Sequence, residues 1–419
     1  MIIASILFAH FAFAQDVETN TASKIWSLED CISYAIENNI TIKDADLNTS
    51  ISEVNYNKAK SAKLPNLFGS ASQNFSSGTS IDPITSDYVS DQIHSTNLGI
   101  NSSVTLFQGN QLSNQVKQNQ LLIEQNSLLA QEAKNNIVIS ILESYLQTLY
   151  SKEGISIAEN NLIASEKEVL RAKSRLDAGT IVLSDYTEAQ SQAATNKYNV
   201  IAAKNDYELN IINLKQLLEL SPLEDLTIET VDENQDLINL ELNKEAIYTN
   251  ALSYLPEVEA SKTNILVNEK ELEIAKGGYL PTLALTGSLG SGYTSISENT
   301  FTNQLDVNFN QRLGLSLNIP IFNRNQTKSA VQTAAFNIEK AEIQKQTIEK
   351  EVIKKVETAY QNALSSQEQL VAAEVSQDAA EQSYNLAQKK YELGDLSTTD
   401  LVISQNTFTN AQQNYLQSK

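Results

Sequence analysis

The sequence predicts a mainly α fold with a small β part, built as two copies of one long-helix unit. Three observations carry this reading. Of 419 residues only 13 are Gly and 6 are Pro, so long helices run with few breakers. Segments in the two halves match at a nearly constant offset, the mark of a duplication. Four short segments alternate apolar and small polar residues with a period of two, as strands do.

The repeat fixes the elements. Pro65 in "AKLPNLFGSASQNF" matches Pro281 in "GYLPTLALTGSLGSGY" at an offset of 216, and Ala35 matches Ala251 at the same offset. "LGINSSVTLFQGNQ", containing Phe107, matches "LGLSLNIPIFNRNQ", containing Phe322, at 215, and Gly179 matches Gly394 at 215. The first copy spans 27–221, a connector 222–243, and the second copy 244–419. Each copy reads as a helix (27–64; 243–280) ended by the proline. Two strands with a polar loop between them follow, with loops at 79–95 and 295–309. Then come a helix of about 70 residues (109–177; 323–393), a glycine turn, and a returning helix (184–220; 399 onward). Pro65, Pro281, Phe107 and Phe322 mark the helix–strand junctions. The second returning helix is shorter than the first past its glycine, which suggests a missing C-terminal segment.

The strands are the decisive part. Leu313, Leu315, Leu317, Ile319 and Ile321 alternate with Arg312, Gly314, Ser316, Asn318 and Pro320. Leu98, Ile100, Val104 and Leu106 face Asn97, Asn101, Ser103 and Thr105 in the same way. Ten of the 13 glycines lie in or beside these segments. A soluble sheet with one wet face alternates likewise, but the first fourteen residues, "MIIASILFAHFAFA", read as an export signal at 1–14 without its basic start. No later apolar run reaches the eighteen or so residues of a spanning helix, so membrane insertion requires a β-barrel. Four strands do not close one, because membrane barrels start at about eight. At least two chains are needed, and three give twelve strands.

Lengths agree with this plan. At about 1.5 Å per residue, a 70-residue helix reaches about 100 Å and a 38-residue helix about 57 Å, so two short helices end to end match one long one. The helical faces are thin, with Val352, Val356, Tyr360, Tyr384 and Tyr391 among Ala and Ser. A coiled-coil scaffold or adhesin without channel activity is the competing reading.

Charge and chemistry exclude other classes. Thirty Lys and Arg against 51 Asp and Glu, a formal charge of −21, repel nucleic acid. The single cysteine, Cys31, suits a small core position, and two histidines offer no metal-ligand cluster. No nucleophile–base set or phosphate loop points to an enzyme, and no cofactor is expected.

With its "LP" strand pairs, its "LFQGN" and "IFNRN" openings, and its "RLDAGTIVLSD" and "KYELGDLSTTD" turns, all doubled, the chain resembles the TolC-type outer-membrane efflux channel family. The resemblance covers essentially everything after Trp26. It implies a homotrimer with a twelve-stranded barrel in outer-membrane lipid and a periplasmic α-helical tunnel. Such a protein is a passive exit duct of a tripartite efflux or type I secretion system. Its partners are a periplasmic adaptor and an inner-membrane transporter. The turns at Gly179, Thr180, Gly394 and Asp395 then form the periplasmic tip that meets the adaptor. Asp400 matches an aspartate that rings the closed entrance in the family, whereas a second such position is Ile403 here. Helix N-capping is the alternative role for Asp400 and for Asp185, with Glu188 completing a capping box for Asp185.

Overall fold

A computed structural model describes residues 25–81, 88–230 and 243–419. The expected export signal at 1–14 and most of the connector lie outside the described residues. In chain order the elements are β1 (Ile25–Trp26), α1 (Leu28–Asn38), α2 (Ile40–Ser61), β2 (Phe68–Ile81), β3 (Tyr88–Gln108), α3 (Gln111–Asp177), α4 (Leu183–Leu217) and β4 (Thr227–Ile228). They continue with α5 (Lys244–Tyr254), α6 (Pro256–Gly277), β5 (Thr282–Thr294), α7 (Phe301–Val307), β6 (Asn310–Asn318), α8 (Gln326–Leu393) and α9 (Thr398–Ser418). The long helices α3 and α8 have 67 and 68 residues, so each is about 100 Å of helix at 1.5 Å per residue.

Several sequence expectations are corrected. The helices expected at 27–64 and 243–280 are each a pair, of 11 and 22 residues in both cases. Leu255 breaks the second because it precedes Pro256, which pushes it to an extended φ −70°, ψ 129° and sits at the start of α6, where its missing N–H costs nothing. Asn39 adopts nearly the same geometry, φ −60°, ψ 129°, and its side-chain amide donates to the Leu217 carbonyl at 3.0 Å. Two strands run longer than their alternation suggests: β2 and β3 have 14 and 21 residues and take in 79–81 and 88–95 of the loop expected at 79–95, whereas β6 has only 9 and ends before Ile319. Residues 82–87 lie outside the described residues. Backbone pairing carries the hairpin through polar residues, Ser77 opposite Gln92 and Gln73 opposite Thr96, beyond where side chains alternate cleanly. The loop expected at 295–309 is not all loop either, since it contains α7.

The chain divides into two units, and each draws on both halves of the sequence. One comprises Met1–Asn39, Val138–Leu237 and Leu370–Lys419; the other Ile40–Ile137 and Ile238–Gln369. In the first, β1 and β4 pair in parallel, Trp26 opposite Ile228, and both side chains are buried. The Tyr145 hydroxyl lies 3.3 Å from the Trp26 carbonyl and 3.0 Å from that of Glu229, and the Trp26 and Tyr34 rings meet edge-on at 5.2 Å. Burial, followed by the charges around it, pushes the Tyr145 hydroxyl up to about 12, so it stays a neutral donor. Cys31 is fully buried here.

In the second unit the helices pack through small and amide side chains. The Asn126 amide donates to Ser52 Oγ at 2.7 Å, and Gln118 reaches Glu271 at 2.7 Å. The sheet order is β2-β3-β5-β6, antiparallel throughout, which leaves β2 and β6 as edges. Where β3 passes into α3 the backbone turns left-handed at Gly109 (φ 58°) and Asn110 (φ 61°), and at the corresponding place before α8 at Arg324 and Asn325. Gly109 lies against Gly277 so closely that a Cβ on it would stand 2.2 Å from the Gly277 carbonyl oxygen.

Gly109→Ala is therefore expected to destabilise this junction, since both the positive φ and the contact resist a methyl group. Gly154→Ala, in the middle of α3 with nothing within 4 Å, should stabilise by about 0.5–1 kcal/mol. Thermal melts of the two variants beside the parent check both signs.

Candidate functional site

Two regions carry the candidate residues, one in each unit. In the first unit, α3–α4 and α8–α9 are two helical hairpins. Each turns on a left-handed glycine, Gly179 at φ 72° and Gly394 at φ 86°. The capping bonds match: the Gly179 and Thr180 amides donate to Leu176 and Arg175, and the Gly394 and Asp395 amides to Tyr391 and Lys390. Each pair is the Schellman arrangement, which needs a residue without Cβ strain at the turn.

The hairpins meet through contacts that the sequence reading did not foresee, although it named Tyr391 and Glu188 for other roles. Arg175 Nη1 donates to the Tyr391 carbonyl at 3.3 Å, and its guanidinium lies 5.1 Å from the Tyr391 ring centroid. The cation thus sits at the negative end of α8, where free carbonyls gather. The Tyr391 side chain is buried, and its hydroxyl is 3.4 Å from Thr398 Oγ1, across the glycine turn. Burial raises the Tyr391 hydroxyl above its ordinary value. Arg171 pairs with Glu392 at 3.1 Å, Thr399 Oγ1 donates to Glu188 at 3.1 Å, and Thr409 reaches Asn161 at 3.1 Å. The one signal in the sequence was the register itself, which sets Arg175 and Lys390 each four residues before its glycine.

The capping roles expected for the aspartates are corrected. The N-cap of α9 is Ser397, whose Oγ accepts from the Asp400 amide at 3.1 Å and donates to Asp400 Oδ2 at 2.7 Å. Asp400 is the third residue of the helix, and its carboxylate accepts from the Ser397 hydroxyl beside the positive helix end. The N-cap of α4 is Val182, which has no side-chain acceptor, and Asp185 occupies the first turn. Glu188 completes no box for Asp185; its carboxylate accepts from Thr399 instead. The helices start earlier than the aspartates suggested because a serine three residues upstream competes for the cap in one copy. In the other, the backbone bond from Asp185 to Val182 closes the first turn.

In the second unit, Pro65 lies between α2 and β2, Pro281 immediately before β5, Phe107 next to the end of β3 and Phe322 between β6 and α8. The β3–β5 register shifts between Thr105 and Phe107. Across the ladder one face carries Val104, Leu285 and Leu315 in a row, then Phe107, Leu283 and Leu317. The opposite face sets Ser70, Gly99, Gly290 and Asn310 in a row and Asn101, Ser288 and Arg312 in another. The polar face forms a trough of about 620 Å³. Glycines let neighbouring side chains approach closely on this face: a Cβ on Gly292 would stand 3.0 Å from Asn97 Oδ1, and one on Gly314 3.1 Å from Thr286 Oγ1. The apolar face is open, with Leu313 78% and Leu315 65% exposed. No described helix is long and apolar enough to cross a membrane.

Paired hairpins of this length and a four-stranded sheet are shared with known proteins. The family model for outer membrane efflux proteins matches residues 31–219 and again 247–419. The chain belongs to the outer membrane efflux protein family. It is 25% identical over 301 residues to the outer membrane protein TolC of Escherichia coli K12, covering 68% of this chain and 60% of that protein. It is 23% identical over 392 residues to the outer membrane efflux protein BepC of Brucella suis biovar 1, covering 93% of this chain and 81% of BepC. The fold matches the crystal structure of the outer membrane protein VceC from Vibrio cholerae with a TM-score of 0.79 at 15% identity, covering 93% of this chain and 92% of VceC. Family membership places the chain among transport proteins of the outer membrane and outside the enzyme families.

Because Ser397 caps α9, Ser397→Ala should cost about 1 kcal/mol. Val182→Ser should add an acceptor to α4 and gain a fraction of that. Amide exchange at the first turns of α4 and α9 reads the two effects with opposite sign.

Proposed function

We propose that this chain is the outer-membrane channel of a tripartite efflux or type I secretion system, a passive duct formed by three copies. The observation that carries the reading is the sheet: four strands, two open edges, one apolar face and one polar glycine-lined face. Strand edges left unpaired in lipid cost several kcal/mol per group. Joining β2 of one copy to β6 of the next removes every edge, and three copies give a twelve-stranded barrel. Its apolar face meets lipid and its Ser, Asn and Gly face meets water.

Large apolar side chains left open along the helices support assembly with further copies. Leu47, Ile51 and Val54 line α2, and Phe336 and Ile343 lie one heptad apart on α8. Their spacing suits helix-to-helix packing between copies. The hairpin turns at Gly179, Thr180, Gly394 and Asp395 are the surfaces we assign to a periplasmic adaptor, which links the duct to an inner-membrane transporter. Asp400 lies exposed in the first turn of α9, with Ile403 exposed one turn on. Three copies place three such carboxylates around one axis as a single acidic ring. Transport by such a duct makes and breaks no bond, so the chain needs no catalytic group or cofactor.

Outer-membrane fractions should hold a heat-modifiable trimer; a soluble periplasmic monomer overturns the channel reading in favour of a coiled-coil scaffold. In planar bilayers Asp400→Ala should raise single-channel conductance. Unchanged conductance leaves Asp400 with its helix-end role alone.

A further inference from the structure

β6 pairs with β5 only as far as Asn310 opposite Gly290, so β5 continues for four residues with that edge open. The open edge is closed by side chains. Asn308 Nδ2 donates to the Gly292 carbonyl at 2.7 Å. Gln304, 2% exposed, accepts from the Thr294 amide at 2.9 Å and donates to the Thr294 carbonyl at 3.1 Å, so its carboxamide stands in for a strand peptide. The same amide group reaches the Asn299 carbonyl at 2.7 Å, and Ser291 Oγ donates to the Leu305 carbonyl at 2.5 Å. These bonds pin the short helix α7 to the end of β5.

They also decide which face it covers. Leu283, Leu285, Leu289, Ser291 and Tyr293 share one face of β5 by alternation, the apolar one. Phe301 packs against Tyr293 with ring centroids 5.3 Å apart. Around α7, Ile296, Phe301, Val307 and Phe309 remain exposed, although hydrogen bonds from Gln304 and Asn308 already close the strand edge beside them. On the same face of β2, Phe75 meets His94 edge-on, two register positions beyond the row of Tyr293.

Height along the strand then separates two aromatic levels. From the row of Phe107, Leu283 and Leu317 to that of Tyr293 is ten positions of β5. At about 3.4 Å per residue and a tilt of about 40°, this corresponds to about 26 Å, against about 25 Å for the apolar band of outer-membrane barrels.

We propose that α7 and its flanks, Ile296, Phe301, Val307 and Phe309, seat in the outer leaflet at the headgroup–acyl boundary, as a lipid-binding collar on the outer rim of the barrel. The inference rests on the channel reading, because the lipid band is the one assigned there to the apolar sheet face. A segment with several large apolar side chains and a closed strand edge is suited to a place where backbone groups find little water.

Phe301→Trp and, separately, Leu315→Trp test it in the full-length protein reconstituted into dioleoylphosphatidylcholine vesicles. Matched vesicles carry bromines either near the headgroup end or deep in the chain. The native Trp26, buried in the other unit, supplies a background that the parent protein measures. The indole introduced at position 301 should emit at short wavelength, resist iodide and lose most emission to the shallow bromines. The indole introduced at position 315 should lose most to the deep ones. If the position-315 indole is quenched while the position-301 indole stays open to iodide and blind to both lipids, α7 faces water and the collar is overturned. If neither is quenched, the sheet does not face lipid, and the channel reading falls with the collar.

Discussion

The constraint on which the rest depends is that a strand edge in lipid has nowhere to place its backbone donors and acceptors. This sheet has four strands, an apolar face and edges at β2 and β6. A soluble protein with the same hairpins could leave those edges in water at little cost. A protein inserted in a membrane could not, and the shortfall per group exceeds the net worth of an ordinary hydrogen bond. Under the proposed channel reading, assembly thus follows from the sheet before any helix contact is considered. The chain applies the same logic locally, where Gln304 and Asn308 take over the ladder that β6 leaves unfinished.

The helices follow a different rule, set by thinness. Among the described residues the buried set is rich in Ala, Ser and Thr, with Thr148, Ser151, Ser165, Ser261 and Thr263 nearly closed to solvent. Four of these hydroxyls return to their own helix, those of Thr148, Ser151, Ser165 and Ser261, as Thr148 does to the Ser144 carbonyl at 2.7 Å and Ser261 to that of Val258 at 2.6 Å. A small residue with an internally satisfied hydroxyl lets neighbouring helices approach without leaving a buried group unpaired. Large apolar side chains of α2, such as Leu47 and Val54, are left facing outward. In the proposed trimer other copies would bury them.

Much of this was legible in the sequence, for identifiable reasons. Period-two alternation at Leu313 to Leu317 survives because one face must be apolar whatever the neighbours are, although the strand stops at Asn318, short of the Ile321 the pattern reached. The two glycine turns were legible because an αL position leaves few alternatives to glycine, and duplication showed them twice. What was hidden depended on competition or on long-range partners. The cap itself was misassigned because Ser397, not the aspartate, wins it, and a carboxylate in the third position looks the same in sequence. The break at Asn39 has no proline to announce it, and its side chain is held by Leu217, 178 residues away. β2 and β3 ran longer than their alternation because hydrogen bonds between backbones do not require apolar side chains. α7 reads as polar loop, since Thr, Asn, Gln and Asp outnumber its apolar residues and only contact with β5 reveals what they satisfy.

The hairpin turns show how one carboxylate can take part in two equilibria. Asp400 accepts from Ser397 Oγ in the first turn of α9. Across the turn, Tyr391 is buried between Arg175 and Thr398, and Arg175 is bound to the carbonyl end of α8. These bonds tie the α8–α9 turn to the α3–α4 hairpin through neutral or charge-to-carbonyl contacts rather than through Asp400 itself. Among the described residues Asp400 has no ion pair within its own chain, so in the proposed trimer its charge would be available to the other copies. Like charges brought close repel, so a ring of three needs the packing of the hairpins to hold it together. Ile403, exposed on the same helix one turn later, supplies apolar surface at that place instead of a second charge. If the proposed channel closes at this entrance, closure rests on balance: apolar contact and the Arg175–Tyr391 tie drawing the hairpins in, and one carboxylate per chain pushing them apart.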